Sequence, residues 1–245
     1  MQQGLTPAAL DVFAERYYLN RDEVLAIDVE ELAQEMAIPL IVRALGESKR
    51  VLEMGYGTGL TARTLPAAGV DLEMVEGSPT LTRVAREQHP GLIVHQAMFE
   101  EFEPTNLYDA VLCLHVLEHV DDPRQVLSVA RRWLKPGGTL VAVVPNRESY
   151  HRRIAVEMGL HEHLDDLSAS DHVLGHLRVY SMDLLRADIE ASGFAVEEEI
   201  GYLFKTVPNS MMLSYPPEML RALNTISSAL PPRDLANIGV RACAV

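Results

Sequence analysis

An α/β fold on a doubly wound parallel sheet is what this chain predicts, on three observations. Strand-length apolar runs alternate with helix-length amphipathic segments. The first such run, Val51-Leu52-Glu53-Met54, enters a glycine-rich turn, Gly55-Tyr56-Gly57-Thr58-Gly59. A second run ends in Met74-Val75-Glu76-Gly77-Ser78-Pro79 and so puts a carboxylate at a strand's C-terminal edge, where open α/β sheets bind their ligands. The 245 residues suffice for a sizeable core, and at 48% hydrophobic residues the chain reads as globular and not disordered.

Two helical segments precede the first strand. One opens at Thr6-Pro7; the other opens near Asp28, where Glu31 completes a capping box and Pro39 should kink or break the helix. Strands are predicted at 50–54, 72–76, 92–95, 109–114, 138–144, 195–206 and 238–245. Between the fourth and fifth, Asp122 caps a helix, Pro123 fits its first turn, and Val126, Leu127, Ala130, Trp133 and Leu134 form its apolar stripe. Lys135-Pro136-Gly137-Gly138 ends it. A later helix runs from Ser181 to Ser192 and is closed by Gly193. The resulting domain plan is an N-terminal helical lid over 1–45 and a cofactor-binding domain over 46–245, with a lid insertion at about 146–180.

Glycine tolerates positive φ and has no Cβ, so the first turn can press its backbone against a ligand. Its spacing is GxGxG. Position 60, where a dinucleotide loop needs its third glycine, is Leu60, which argues against a pyrophosphate and a nicotinamide cofactor. Glu76 can accept both hydroxyls of a ribose, a role that nucleoside cofactors of either kind would use.

Lys and Arg total 21 against 35 Asp and Glu, a formal charge of -14 that opposes broad affinity for nucleic acid and favours a small-molecule partner. The 2 cysteines, Cys113 and Cys243, sit in apolar runs and read as small buried hydrophobes, not as a disulfide framework. No signal-peptide pattern opens the chain and no apolar run reaches transmembrane length. The expectation is a cytoplasmic monomer or homodimer with no membrane partner.

The glycine turn with Glu53 resembles motif I of class I S-adenosylmethionine (SAM) dependent methyltransferases. Tyr108-Asp109-Ala110-Val111-Leu112-Cys113-Leu114-His115-Val116-Leu117-Glu118-His119-Val120-Asp121-Asp122-Pro123 looks like the fourth strand and following turn of the ubiquinone/menaquinone-type (type 11) small-molecule branch. Leu134-Lys135-Pro136-Gly137-Gly138-Thr139-Leu140 fits the same pattern. The resemblance implies a Rossmann-like sheet of seven strands with an antiparallel C-terminal hairpin; composition and periodicity alone reach only α/β. It implies that Glu53 holds the methionine moiety, that Gly55, Tyr56, Gly57 and Gly59 flank the cofactor, and that Glu76 and Gly77 hold the ribose. Gln96-Ala97-Met98 would cradle adenine, with Gln96 where relatives commonly carry Asp, and Leu114 and His115 would border the site. Relatives also fold N-terminal helices over the cofactor, which nominates Tyr17 and Tyr18 beside Phe13.

SAM carries an activated methyl group, so such an enzyme mainly aligns the reactants and excludes water. A hydroxyl acceptor needs a base, and histidine suits that role. His151, His161, His163, His172 and His176 crowd the insertion; His176 is the first candidate, His172 the second and His115 the third. Arg178 and Tyr180 could bind an anionic or sugar-like acceptor, and the Met211-Met212 stretch could line a pocket or a dimer interface. Relatives carry divalent-cation ligands where this chain has His115, Glu118 and His119, so a metal there, completed by His172 or His176, is the lesser alternative to a metal-free site. The chain is thus expected to methylate a small molecule, most simply at a hydroxyl oxygen. An acceptor nitrogen or carbon, a non-catalytic SAM-binding protein and a nicotinamide oxidoreductase remain as alternatives.

Overall fold

The computed structural model describes residues 6–19 and 27–245. Seven strands form one sheet: β1 (Arg50–Met54), β2 (Asp71–Glu76), β3 (Ile93–Gln96), β4 (Tyr108–Leu114), β5 (Leu134–Pro145), β6 (Phe194–Tyr202) and β7 (Asn237–Ala244). Their order is β3-β2-β1-β4-β5-β7-β6. β7 runs antiparallel between β5 and β6, and the other pairings are parallel. This is the mostly parallel sheet with an antiparallel C-terminal hairpin that the resemblance implied.

Both faces of the sheet are covered, and this explains the unbroken apolar strands. In β4, Val111 and Cys113 face one core with Trp133, Leu127, Leu140 and Ile238, while Ala110 and Leu112 face the other with Ile41, Leu65, Met74 and Val141. Cys113 is fully buried and Cys243 partly so, and the two form no disulfide.

The helices are α1 (Pro7–Ala14), α2 (Ile27–Leu45), α3 (Leu60–Thr64), α4 (Pro79–Gln88), α5 (Pro123–Trp133), α6 (Tyr150–Glu157), α7 (Ala169–Val173), α8 (Met182–Ala191), α9 (Asn209–Met212) and α10 (Pro217–Ser227). Thr6, Asp122 and Ser181 cap α1, α5 and α8 with their side-chain oxygens, as their sequence positions predict. The side chain of Asp28 lies outside the described residues, so its capping box does too. Pro39 does not break α2, which continues to Leu45. Pro39 and Glu35, whose carbonyl loses its amide partner, are both exposed, so water can satisfy that carbonyl.

Two strand limits differ from expectation by four residues, and the others by no more than one. β5 begins at Leu134, because Leu134 pairs with Tyr108 before a bulge, so the Lys135-Pro136-Gly137-Gly138 segment lies inside the strand. β6 stops at Tyr202 because Leu203 adopts φ 63, a left-handed conformation that ends strand pairing. The insertion between β5 and α8 leaves and rejoins the sheet at one point, where Asn146 bridges Tyr180 and Arg147 N–H donates to the Tyr180 carbonyl at 2.8 Å. Met212 is buried against Val29 and Leu220, and Met211 is exposed. No described helix is long and apolar enough to cross a membrane.

Candidate active site

A cavity of about 610 Å³ opens over the C-terminal ends of β1, β2 and β4, where strand order reverses direction. Its floor is the glycine turn. Gly57 has φ 55 and nothing within 4 Å of where a Cβ would project, so its backbone borders open space. Gly59 has φ 75 and caps α3, and a Cβ there would collide with the Tyr56 ring; it lies behind the lining.

Two buried carboxylates meet this floor. Glu53 Oε2 has no hydrogen-bond partner, and burial pushes its carboxyl up to about 8 against the partial pull of the Thr61 hydroxyl. Glu76 is held more firmly: Oε2 accepts the Tyr56 N–H at 2.9 Å and Oε1 the Ser78 N–H at 2.7 Å. Burial raises its carboxyl, opposed by those amides. With the Gly77 amide as a third donor, the carboxylate still has acceptor capacity for a further one.

Ala97 and Met98 line the cavity wall after β3. Gln96 does not: it pairs with Glu76 at the strand edge and its side chain is exposed. Gly77 and Leu114 do line it. Above them, residues Glu15–Leu19 continue α1 as a π-helical turn, a form often found at functional sites. Tyr17 and Tyr18 both reach the cavity from it with Phe13, their rings 5.0 Å apart. Burial raises both phenols, so neither serves as a base near neutrality.

The turn after β4 carries the polar wall. His115 is strained, with φ 56, and both its ring nitrogens are engaged: Nδ1 with Glu118 Oε1 at 3.3 Å, Nε2 with the Tyr202 hydroxyl at 2.8 Å. Burial opposes charge on each member of the His115–Glu118 pair, yet their mutual attraction raises His115 and lowers Glu118. His115 is therefore not free to take a proton from an acceptor. Glu118 is fully buried and its Oε2 has no partner. His119 is held neutral chiefly by burial.

The insertion places His176 against this wall, with its ring 4.8 Å from that of His119. The contact is stitched by main chain: Leu177 N–H donates to the Glu118 carbonyl at 2.8 Å. His172 stays outside, exposed on α7, because the capped first turn of that helix directs Asp171, not its neighbour, inward. Arg178 and Tyr180 do not face the cavity either. Arg178 donates to the carbonyls of Leu117, Val120 and Asp121, and Tyr180 is fully buried with its hydroxyl on Asp188. Both serve packing and leave no anion site there.

Among the described residues, the metal-capable side chains that converge are Glu118, His119 and His176, with donor atoms within 4.8 Å of one another. Of the metal set the sequence offered, Glu118, His119 and the completing His176 converge, while His115 and His172 do not join them. Tyr202, Glu30 and Thr61 also shape the site and escape sequence reasoning, since each lies in an element whose pattern signals only helix or strand.

A family model described as "Methyltransferase domain" matches residues 28–199. A ubiquinone biosynthesis O-methyltransferase of Xanthomonas oryzae pv. oryzae is 35% identical over 104 residues, 40% of this chain and 44% of that protein. The chain thus matches under half the length of that curated relative. A SAM-dependent methyltransferase from Thermotoga maritima, described as a possible histamine N-methyltransferase, superposes with TM-score 0.65 at 23% identity, covering 96% of this chain and 100% of that one. The [4+2]-cyclase SpnF superposes with TM-score 0.64 at 14% identity, covering 98% and 97%. The last match separates fold from chemistry, because a cyclase shares this architecture. With most of its length matched by the family model and its seven-stranded, mostly parallel sheet ending in an antiparallel hairpin, the chain belongs to the methyltransferase-domain family and carries the class I SAM-dependent methyltransferase fold.

Proposed function

We propose that this protein transfers the methyl group of SAM to a hydroxyl oxygen of a small, uncharged acceptor, with His176 as general base. The observation that carries the reading is that one cavity holds both the Glu53–glycine–Glu76 floor and the buried His176 ring. Three features fit the cofactor. The unpartnered Glu53 Oε2 suits the ammonium of the methionine end, the open space beside Gly57 suits close backbone approach, and Glu76 has acceptor capacity left for a ribose hydroxyl. Ala97 and Met98 would flank the adenine, with Tyr17 and Tyr18 closing over the top from residues 1–45 and the 146–180 insertion closing the side.

SAM, when bound, supplies a methyl group already activated on a sulfonium sulfur. The chain's own work is then to orient the acceptor, exclude water and receive its proton. Buried phenols and the engaged His115 leave the histidines at 119 and 176 as the bases available in the cavity. His119 spends one ring nitrogen on the Gly175 carbonyl.

The lining contains eight carboxylate side chains and, among the described residues, no Lys or Arg. Such a wall repels anionic acceptors. It also favours a second reading, an amine acceptor or other cation seated at the unpartnered Glu118 Oε2. A screen of uncharged phenols and sugars, amines, and carboxylates with SAM, read by mass spectrometry for gain of one methyl group, separates the two. Methylation of hydroxyl compounds supports the first and methylation of amines the second. SAM binding without any product overturns both. With the acceptor in hand, His176→Ala should lower turnover about 10²-fold or more at little changed SAM affinity; full activity would remove His176 from the chemistry.

A further inference from the structure

Behind His176, on the side away from the cavity, stand two side chains that do not line the cavity, Asp171 and Arg152. The insertion folds so that α7 begins with a reciprocal cap: Ser168 Oγ accepts the Asp171 N–H at 3.1 Å, and Asp171 Oδ2 accepts the Ser168 N–H at 2.8 Å. Arg152, from α6, closes on the same Oδ2 with one guanidinium nitrogen and on the Asp166 carbonyl with the other, at 2.9 Å. Oδ1 of Asp171 is thereby left for one partner, His176 Nδ1, at 2.8 Å. The main chain reinforces the pair, with the His176 N–H donating to the Asp171 carbonyl at 2.9 Å. Arg152, Asp171 and His176 are 7%, 6% and 8% exposed, so water does not compete for these bonds. Neither Asp171 nor Arg152 lines the cavity, whereas His176 does.

Burial alone would push the Asp171 carboxyl up. The hydrogen bond from His176, the charge of Arg152 and the two bonds from Ser168 outweigh it and hold Asp171 far below the ordinary carboxylate range. An ionised carboxylate only accepts hydrogen bonds. The imidazole nitrogen it faces must therefore carry the hydrogen, which in the neutral ring leaves Nε2 bare. The other groups against the ring do not reverse this. His119 faces it as a neutral ring held down by burial, and Glu118 attracts a positive ring without bonding Nδ1.

We infer that Asp171 is a positioning residue: with Arg152 and Ser168 holding it, it fixes His176 in the tautomer whose unprotonated Nε2 is turned to the cavity. The value of this to catalysis rests on the reading of His176 as base, because the wrong tautomer presents an N–H where a proton must be taken up, as in the Ser-His-Asp triad when its acid is made an amide.

The test needs neither cofactor nor acceptor. Imidazole nitrogen–proton correlation spectra of the full ¹⁵N-labelled chain, recorded near pH 8 in chelator-treated buffer, report which ring nitrogen carries hydrogen. The His176 signals are assigned by their loss in His176→Gln. The expected result is hydrogen on Nδ1 in the wild type, a shift of the major tautomer to hydrogen on Nε2 in Asp171→Asn, and a wild-type pattern in Ser168→Ala, which weakens the cap but keeps the Asp171–His176 bond. Hydrogen on Nε2 in the wild type would overturn the inference, and that measurement stands even if Asp171→Asn fails to fold. A wild-type pattern in folded Asp171→Asn would overturn it as well, as would an equal tautomer shift in Ser168→Ala, which would reduce Asp171 to a helix cap. If instead the tautomers behave as expected but His176→Ala retains full turnover, the base reading fails and the positioning stands.

Discussion

Glu53 is a carboxylate that the folded chain keeps from ionising in the ordinary range, and its pH behaviour can be worked out with sign. Its folded value is about 8, while the unfolded carboxyl titrates as an ordinary Glu. Between those two values the unfolded state binds fewer protons than the folded one, so this group's contribution to stability falls as pH rises. Glu53→Gln should therefore flatten the stability difference between pH 5 and pH 8, measured by urea unfolding without cofactor. An identical slope in the variant would mean that Glu53 ionises normally. For Glu76, whose oxygens already hold the Tyr56, Gly77 and Ser78 amides, the spare acceptor capacity matters: Glu76→Ala should weaken SAM by about 1 to 3 kcal/mol by calorimetry. An unchanged dissociation constant would take Glu76 out of the cofactor site. Glu76 was legible from its place at a strand end, and Glu53 from the resemblance of its glycine turn to motif I. The engagement of His115 was not, because its second partner, Tyr202, lies 87 residues away in the chain.

At the scale of elements, a carboxylate helps fasten α1 over the cleft, beside the packing of Phe13 on His119. Asp11 accepts hydrogen bonds from the Ser78 hydroxyl and from the Thr80 N–H at 2.9 Å, which ties the helix to the start of α4 beside the Glu76 turn. Asp11→Ala should weaken SAM severalfold and speed amide exchange in residues 7–19, while exchange in β1 and β4 stays at wild-type rates. Unaltered exchange in α1 would show that aromatic packing alone holds the helix. Helix starts were readable because caps are local: Thr6, Asp122 and Ser181 each bond an amide two or three residues on. The ends of β5 and β6 were not. They depend on a register shift against Tyr108 and on a left-handed Leu203, neither of which leaves a trace in hydrophobic periodicity.

For the molecule as a whole, a ligand that binds only the folded state raises its stability by mass action. SAM at 100 times its dissociation constant should add about 2.7 kcal/mol, which for a chain of this size raises Tm by roughly 5 to 10 °C. Gly57→Val should remain folded, as judged by circular dichroism, yet show no such rise, since its side chain would enter the open space beside the turn. A normal shift in that variant would mean that the cofactor lies elsewhere.

The α/β class, the glycine turn and the strand-end acid Glu76 were determined by sequence alone, because strand alternation, turn glycines and strand-end carboxylates are encoded over a few adjacent residues; Glu53 was marked by the resemblance of its turn to motif I. The polar wall was decided only in three dimensions. Glu118, His119 and His176 meet because the insertion returns to the sheet at Asn146 and Tyr180 and stitches Leu177 to Glu118. Which of several histidines keeps a free nitrogen depends on partners brought from distant segments, and no spacing rule along the chain records those partners.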